Sequence, residues 1–379
     1  MRLMNREEFQ KNSTLIVIKV GSSLLVEEGT LQLDKIRELA HNIACLKEKG
    51  KKVILVSSGA VACGMSVMGL TKKQGGIPFK QAMAAIGQSV LMQAYREAFS
   101  PLGIQVAQIL LAPEDTNNRV KYLNARNTFE ALIHLGVLPV VNENDSVAVE
   151  EIKFGDNDRL SALVASLVGA DLLVILSDIE GLFTADPRLL PQASLVEEVE
   201  KVDRRIEEMA GGRGNPFSTG GMKSKIIAAR MATLSGIGVI VASGKNFSIL
   251  QEIGEGKRRG TFFWPEEKRL PGRKRWIAFA MIPRGSVVID EGAKEALLAQ
   301  KSLLPAGVKG VEGSFDLGDC VEILGPSGEL VGRGITNYSS EELQKILGLH
   351  TEEVKEVLGG KDFDEEVVHA DNLVLLGGE

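Results

Sequence analysis

A chain of 379 residues with 44% hydrophobic content and a formal net charge of −6 is neither disordered nor a small stapled scaffold. At roughly 150 residues per domain it divides into two or three domains, each able to bury a core. The mild acidity gives no bulk attraction to nucleic acid or an anionic membrane, and the three widely spaced cysteines, Cys45, Cys63 and Cys320, form neither a disulfide framework nor a thiolate zinc site, which points to a reducing cytoplasm.

The first eleven residues carry charges throughout, unlike a signal peptide. LIVIKV (15–20) reads as a strand. LDKIRELAHNIACLKEKG then places Leu33, Ile36, Leu39, Ala40, Ile43 and Leu46 on one helical stripe, with Gly50 as its stop. KVILVSSG is a second strand, and a helical segment near 79–99 leads to VAQILLA as a third. The alternation continues through RVKYLNARNTFEALIHLG, VLPVVNEND, DNDRLSALVASLVG, ADLLVILSD, MKSKIIAARMATLSG and GVIVASG. Near-continuous apolar strands alternating with amphipathic helices predict an α/β fold, a three-layer open, mainly parallel sheet with helices on both faces. The most apolar stretch, from Leu160, is broken by Gly169 and Asp171 and lacks the ~20 unbroken apolar residues of a membrane helix.

Beyond residue 256 the texture changes. Residues 257–275 hold eight basic and two acidic residues with Pro265 and Pro271, and read as a final strand, GTFFW, followed by a linker. WIAFAMI, GSVVID, DCVEILG and LVGRGIT then read as short strands between glycine-rich turns, with a helix at SSEELQKILG and a closing strand NLVLL. This is a small β-rich module.

In open parallel sheets, ligands bind beyond the carboxyl ends of the strands. Five polar or glycine-containing clusters fall there: Lys19 with Gly21 to Ser23; Ser57 to Gly59; Asn142 to Asp145; Ser177 with Asp178; and Ala242 to Gly244. Gly21 to Ser23 and Gly59 to Ala60 can offer backbone N–H groups to phosphate or carboxylate. Lys19 at the tip of a buried strand either snorkels or meets an anion. Thr219, Gly220 and Gly221 precede a helix whose first turn holds Met222, Lys223, Ser224 and Lys225; cations there oppose the helix dipole and so suggest an anion, against the alternative of solvated lysines on an exposed loop. Asp156, Asn157 and Asp158 open the helix that follows Asn142 to Asp145. Helix capping accounts for one acidic residue, whereas the dense group recognises an ammonium, holds Mg²⁺ through oxygen or orients lysines. His41, His134, His350 and His369 lie in none of these clusters, which disfavours a histidine triad or zinc site. The P-loop and the dinucleotide G-x-G-x-x-G are both missing.

KVGSS at Lys19, VSSGAV at Val56, LSDIEGLFTADPR at Leu176 and STGGMKSK at Ser218, in this order, resemble the motifs of the amino acid kinase family, whose members phosphorylate carboxylates, carbamate or UMP. VVNENDSVAVEEIKFGDNDRLSALVA and a C-terminal module resembling a PUA domain narrow the likeness to the branch acting on L-glutamate at the start of proline synthesis. The resemblance covers nearly the whole chain. It implies a kinase domain over 1–265, a basic linker over 266–275 and a PUA-like domain over 276–379. It also implies transfer of the ATP γ-phosphoryl group to the glutamate side-chain carboxylate, with Lys19 and Lys225 flanking that group and Asp158 orienting both. Glutamate would lie against Ser58, Asp145, Asn157 and, less firmly matched, Asn142. ATP would lie against Lys19, Gly21, Ser177, Asp178, Thr219, Gly220, Gly221, Met222, Lys223, Ser224 and Lys225, with Mg²⁺ carried on its phosphates and no residue assigned as a metal ligand. Ser177 stands where a threonine is frequent, and keeps the hydroxyl. Proline as feedback inhibitor, a homo-oligomer (dimer or tetramer) and handover to the next pathway enzyme are further expectations. The alternatives are a kinase of another small carboxylate, or RNA binding through the PUA-like module. RNA is disfavoured because residues 276–350 carry a net charge of −4 and residues 351–379 one of −7.

Overall fold

The computed structural model describes residues 4–70, 75–147, 157–187, 189–190, 192–210, 221–267, 269–358 and 364–376. Two compact units divide between Arg269 and Leu270.

In the first unit the apolar runs become strands β1 (Leu15–Val20), β2 (Lys52–Val56), β3 (Val106–Leu111), β4 (Leu138–Glu143), β5 (Leu172–Ser177), β6 (Glu198–Val199), β7 (Gly238–Ser243) and β8 (Thr261–Phe263). Among the described residues they form an eight-stranded sheet ordered β3-β4-β2-β1-β5-β7-β8-β6. The pairs from β3 through β7 are all parallel, whereas β8 runs antiparallel to β7. The helices of this unit include α1 (Arg6–Asn12), α2 (Leu33–Glu48), α3 (Ala60–Val67), α4 (Ile77–Phe99), α5 (Arg119–His134), α6 (Asn157–Val168) and α7 (Met222–Leu234). The α2 stripe is buried at Ile36, Leu39, Ala40, Ile43 and Leu46, but Leu33 in the first turn is exposed.

Side chains alternate across a strand, so each strand serves two layers. Ile16, Ile18 and Val20 of β1 join Leu55, Val174 and Ile240 in one core with Ile36 and Leu39 of α2 and Leu91, Tyr95 and Phe99 of α4. Val17 and Lys19 point to the opposite face, where Asp158 on α6 and Lys225 on α7 meet Lys19. The same period sends Ser57, just past β2, toward Tyr95 of α4.

Two local features fix the start of α3. Gly59 has φ +105°, a left-handed conformation open to glycine, and turns the chain from β2 into the helix. Helices α3 and α4 then cross with their backbones touching: a Cβ on Gly87 would lie 1.8 Å from the Ala60 carbonyl oxygen, and one on Gly64 would lie 1.9 Å from that of Met83. Only glycine permits this approach.

The second unit is a five-stranded sheet of β9 (Gly285–Ile289), β10 (Val308–Gly313), β11 (Cys320–Leu324), β12 (Leu330–Ile335) and β13 (Leu373–Leu375), ordered β10-β9-β11-β12-β13. Its core holds Val287, Val321, Ile323, Tyr338, Leu343 and Val367. One expectation fails here. WIAFAMI is not a strand: Trp276–Ala280 is a π-helical turn continuing a short helix over Gly272–Arg275. An unbroken apolar run of seven residues has no alternation to distinguish strand from helix. Pro271 starts the helix, and Arg333 Nη1 donates to the Ala278 carbonyl at 3.0 Å. Helices at Glu291–Leu298 and Thr351–Val357, unmarked in the sequence reading, complete the unit.

Candidate active site

The carboxyl ends of the parallel strands lie in register along one edge. Lys19 pairs with Val56 and Ile175, Ser177 pairs with Ser243, and the Gly21 N–H donates to the Leu176 carbonyl at 3.2 Å. Topology therefore gathers the five clusters that are far apart in the chain.

At the centre sits Asp158, fully buried in the first turn of α6. Its Oδ1 is 2.6 Å from Lys19 Nζ and its Oδ2 is 3.0 Å from Lys225 Nζ, and each lysine is only 4% exposed. Two ammonium groups share this carboxylate in a dehydrated place, where charge is held by its partners rather than by water. Gly21 borders the same spot, since a Cβ there would come within 4.0 Å of Lys19 Nζ.

Gly221 caps α7 with extended backbone and no side-chain cap, so the first-turn N–H groups at Met222 and Lys223 face the same end of the helix as Lys225, while the Ser224 N–H donates to the Gly221 carbonyl at 3.2 Å. Ser224 Oγ is buried and has no hydrogen-bond partner among the described residues. Lys223 is exposed. Thr219 and Gly220 lie outside the described residues, as does Asp156. Ser177 is buried and donates to Asp178 Oδ1 at 3.0 Å, while Asp178 is exposed at the edge.

Beside the charged group lies an amide cluster. Asn157 Nδ2 is 2.6 Å from the Ser57 carbonyl, 2.8 Å from Ser58 Oγ and 2.9 Å from Asn142 Oδ1. Asn142 Nδ2 donates to Gln88 Oε1 at 2.9 Å, and its Oδ1 also accepts the Glu143 N–H at 2.9 Å. An open cleft of about 260 Å³ adjoins the cluster, lined by Ala60, Gln88, Glu143, Asn144 and Asp145 among others. It is smaller than the roughly 300–1,000 Å³ of drug-sized ligand sites, on the scale of a small metabolite. Asp145 is thus at the cleft wall, one step from the amides.

Sequence reasoning did not single out Gln88 or Tyr95, both on α4. Tyr95 Oη is 2.7 Å from Ser57 Oγ, and burial pushes its phenol above the ordinary value. Nothing in the local sequence marks either residue, because their partners are 54 and 38 positions away. Burial likewise pushes the Cys63 thiol up to about 11, so it stays protonated and inert as a packed helix residue.

The donors at the centre are lysines and amides rather than metal ligands. Among the described residues no group of three His, Cys, Asp or Glu side chains is placed to hold a metal ion, and both oxygens of Asp158 are engaged by lysine. None of the described helices is long and apolar enough to cross a membrane.

Comparison with known proteins places the chain in a family. The amino acid kinase family profile matches residues 14–243 and the PUA domain profile residues 285–358. The glutamate 5-kinase of Syntrophotalea carbinolica is 47% identical over 371 residues, spanning 98% of this chain and 99% of its own. That of Trichlorobacter lovleyi is 50% identical over 363 residues, spanning 95% and 96%. The structure of carbamate kinase from Giardia lamblia bound to AMP-PNP superposes with a TM-score of 0.50 at 18% identity, over 68% of this chain and all of that one, a likeness of fold. The chain therefore belongs to the amino acid kinase family and, within it, to the glutamate 5-kinases.

Proposed function

We propose that the protein transfers the γ-phosphoryl group of ATP to the side-chain carboxylate of L-glutamate, giving γ-glutamyl phosphate and ADP. The observation that carries this reading is the buried Lys19–Asp158–Lys225 group beside an amide-lined cleft. Two anions, carboxylate and triphosphate, must approach each other, and phosphoryl transfer depends mainly on positioning and neutralisation. A glutamate oxygen bonds to the γ-phosphorus as the bond to the bridging oxygen breaks, and the electron pair leaves with ADP. A side-chain carboxylate, with an ordinary pKa of about 4.3, is already ionised at neutral pH. No general base is needed, consistent with a centre built of Lys19, Lys225 and Asp158.

In this reading Lys19 and Lys225 neutralise the charge on the phosphoryl group in flight, and Asp158 holds both in place. Gly21, the N-terminal turn of α7 from Gly221 to Ser224, and Thr219 with Gly220 just before it receive the phosphates. Ser177 and Asp178 lie toward the nucleoside. Ser58, Asn157 and Asn142 bind the carboxylates of glutamate, and Asp145 its ammonium. Mg²⁺ enters with ATP as part of the substrate. The same reading places the reaction at the start of proline synthesis in the cytoplasm, in a homo-oligomer. Proline competes for the glutamate cleft, and the labile acyl phosphate passes to the next enzyme. Residues 1–265 form the kinase domain, 266–275 the linker and 276–379 the PUA-like domain.

A substrate panel tests the assignment. With ATP and Mg²⁺, L-glutamate should drive ADP release at least 100-fold more efficiently than L-aspartate or N-acetyl-L-glutamate, because a site built to pair the ammonium and both carboxylates leaves its own groups unpaired on the wrong ligand. Equal turnover of these compounds would remove the claim for glutamate.

A further inference from the structure

We propose that the buried Tyr95–Ser57 hydroxyl pair orients the Asn157 amide, which makes Tyr95 a positioning residue for glutamate. The inference rests on the reading that Asn157, Ser58 and Asn142 hold that substrate. Tyr95 and Ser57 are both fully buried, and their hydroxyl oxygens are 2.7 Å apart. A buried hydroxyl deprived of its partner is costly, so each fixes the other's rotamer. Ser57 is held at its other groups too. Its N–H donates to the Val141 carbonyl at 2.9 Å, and its own carbonyl, 2.6 Å from Asn157 Nδ2, is the nearest acceptor to that amide. The peptide that carries this carbonyl also carries the N–H of Ser58, whose hydroxyl faces the same amide at 2.8 Å. A shift of the Ser57 backbone, which the hydroxyl pair helps to anchor to α4, therefore moves two of the three acceptors around Asn157.

The third acceptor is anchored by the same helix. Gln88 stands seven residues before Tyr95 on α4, two turns along one face, and receives Asn142 Nδ2 at 2.9 Å. Asn142 Oδ1 in turn lies 2.9 Å from Asn157 Nδ2. One rigid face of α4 thus brackets the amide from both sides. The helix has little freedom to drift, because Gly87 lies against the backbone of Ala60 at the start of α3. Burial also keeps the Tyr95 phenol in its neutral, donor-capable form. The relay ends at the Asn157 amide and not at the lysines on Asp158, so it bears on glutamate and not on ATP.

The test is steady-state kinetics on the full chain with Tyr95→Phe, Ser57→Ala, the double variant and Asn157→Ala, with thermal unfolding recorded for each. Phenylalanine retains the ring among Leu91, Phe99 and their neighbours and removes only the hydroxyl. Each single variant should raise the glutamate KM roughly threefold to tenfold, the loss of one neutral hydrogen bond, with a smaller fall in kcat and no change in the ATP KM. The double variant should be no worse than Ser57→Ala, since both singles remove the Tyr95–Ser57 bond and Ser57→Ala also loses the Ser57 hydroxyl's bond to the Ser58 carbonyl at 3.3 Å. A glutamate KM within about twofold of wild type in both singles overturns the relay, as does a fall in kcat and Tm with KM unmoved, the mark of a merely structural role. Asn157→Ala separates the layers. If it raises the glutamate KM while Tyr95→Phe does not, the relay alone fails; if it leaves KM unchanged, the glutamate-site reading fails with it.

Discussion

Lys225→Ala should lower kcat by about 10²- to 10⁴-fold, and Lys19→Ala by a similar factor, with much smaller changes in the glutamate KM. Both ammonium groups are almost fully buried on a single carboxylate, where a charge acts with little solvent screening. Charge on the transferring phosphoryl group is redistributed toward the attacking and leaving oxygens as the reaction proceeds. Groups fixed beforehand on either side stabilise that arrangement without reorganising. Their loss is therefore felt in the rate more than in substrate binding. Lys52→Ala, exposed at the opposite end of β2 from Ser57, serves as the control and should stay within about twofold of wild type. Comparable losses in all three variants would show a general effect of lysine removal and sink the assignment. The informative readout is the full KM-against-kcat split for both substrates.

The second large effect concerns stability. Asp158→Ala should destabilise the first unit by about 3–5 kcal/mol, because it takes from two buried ammonium groups the carboxylate they share. Removing one lysine has the opposite character: Lys225→Ala keeps the Lys19–Asp158 ion pair and should cost far less. The asymmetry supplies its own internal check. In Asp158→Ala/Lys225→Ala, one of the two ammonium groups that lost this carboxylate is gone, so part of the lost stability should return, a non-additivity expected of groups in direct contact. Urea unfolding of the four proteins decides it. A simple sum of the single effects would mean that the three side chains are not coupled in the folded state.

The sequence made the α/β frame legible because burial on both faces of a parallel sheet writes itself as long apolar runs, as at Leu15–Val20 and Leu172–Ser177. It also made the functional edge legible, since polar residues that directly follow such runs must lie at strand ends. Lys19, Asp158 and Lys225 were expected together from the family resemblance, and the structure puts both lysine Nζ atoms within 3.0 Å of the Asp158 carboxylate. What escaped was non-local. Gln88 and Tyr95 look like ordinary helix residues until α4 is packed, and then become partners of Asn142 and Ser57. Arg6 looks like a solvated terminal charge, yet it is 1% exposed. Its guanidinium donates to the carbonyls of Glu197, Arg259 and Gly260 and lies over the Phe262 ring, tying α1 to the edge of the sheet. Trp276–Ala280 escaped for a different reason, because a short, wholly apolar segment carries no period.

Trapping of the acyl phosphate tests the central claim most directly. Wild-type protein with ATP, Mg²⁺, L-glutamate and hydroxylamine should accumulate γ-glutamyl hydroxamate in step with ADP, and Lys225→Ala should yield almost none. ADP release without glutamate-dependent hydroxamate would show that the phosphoryl group goes elsewhere, and would contradict the account.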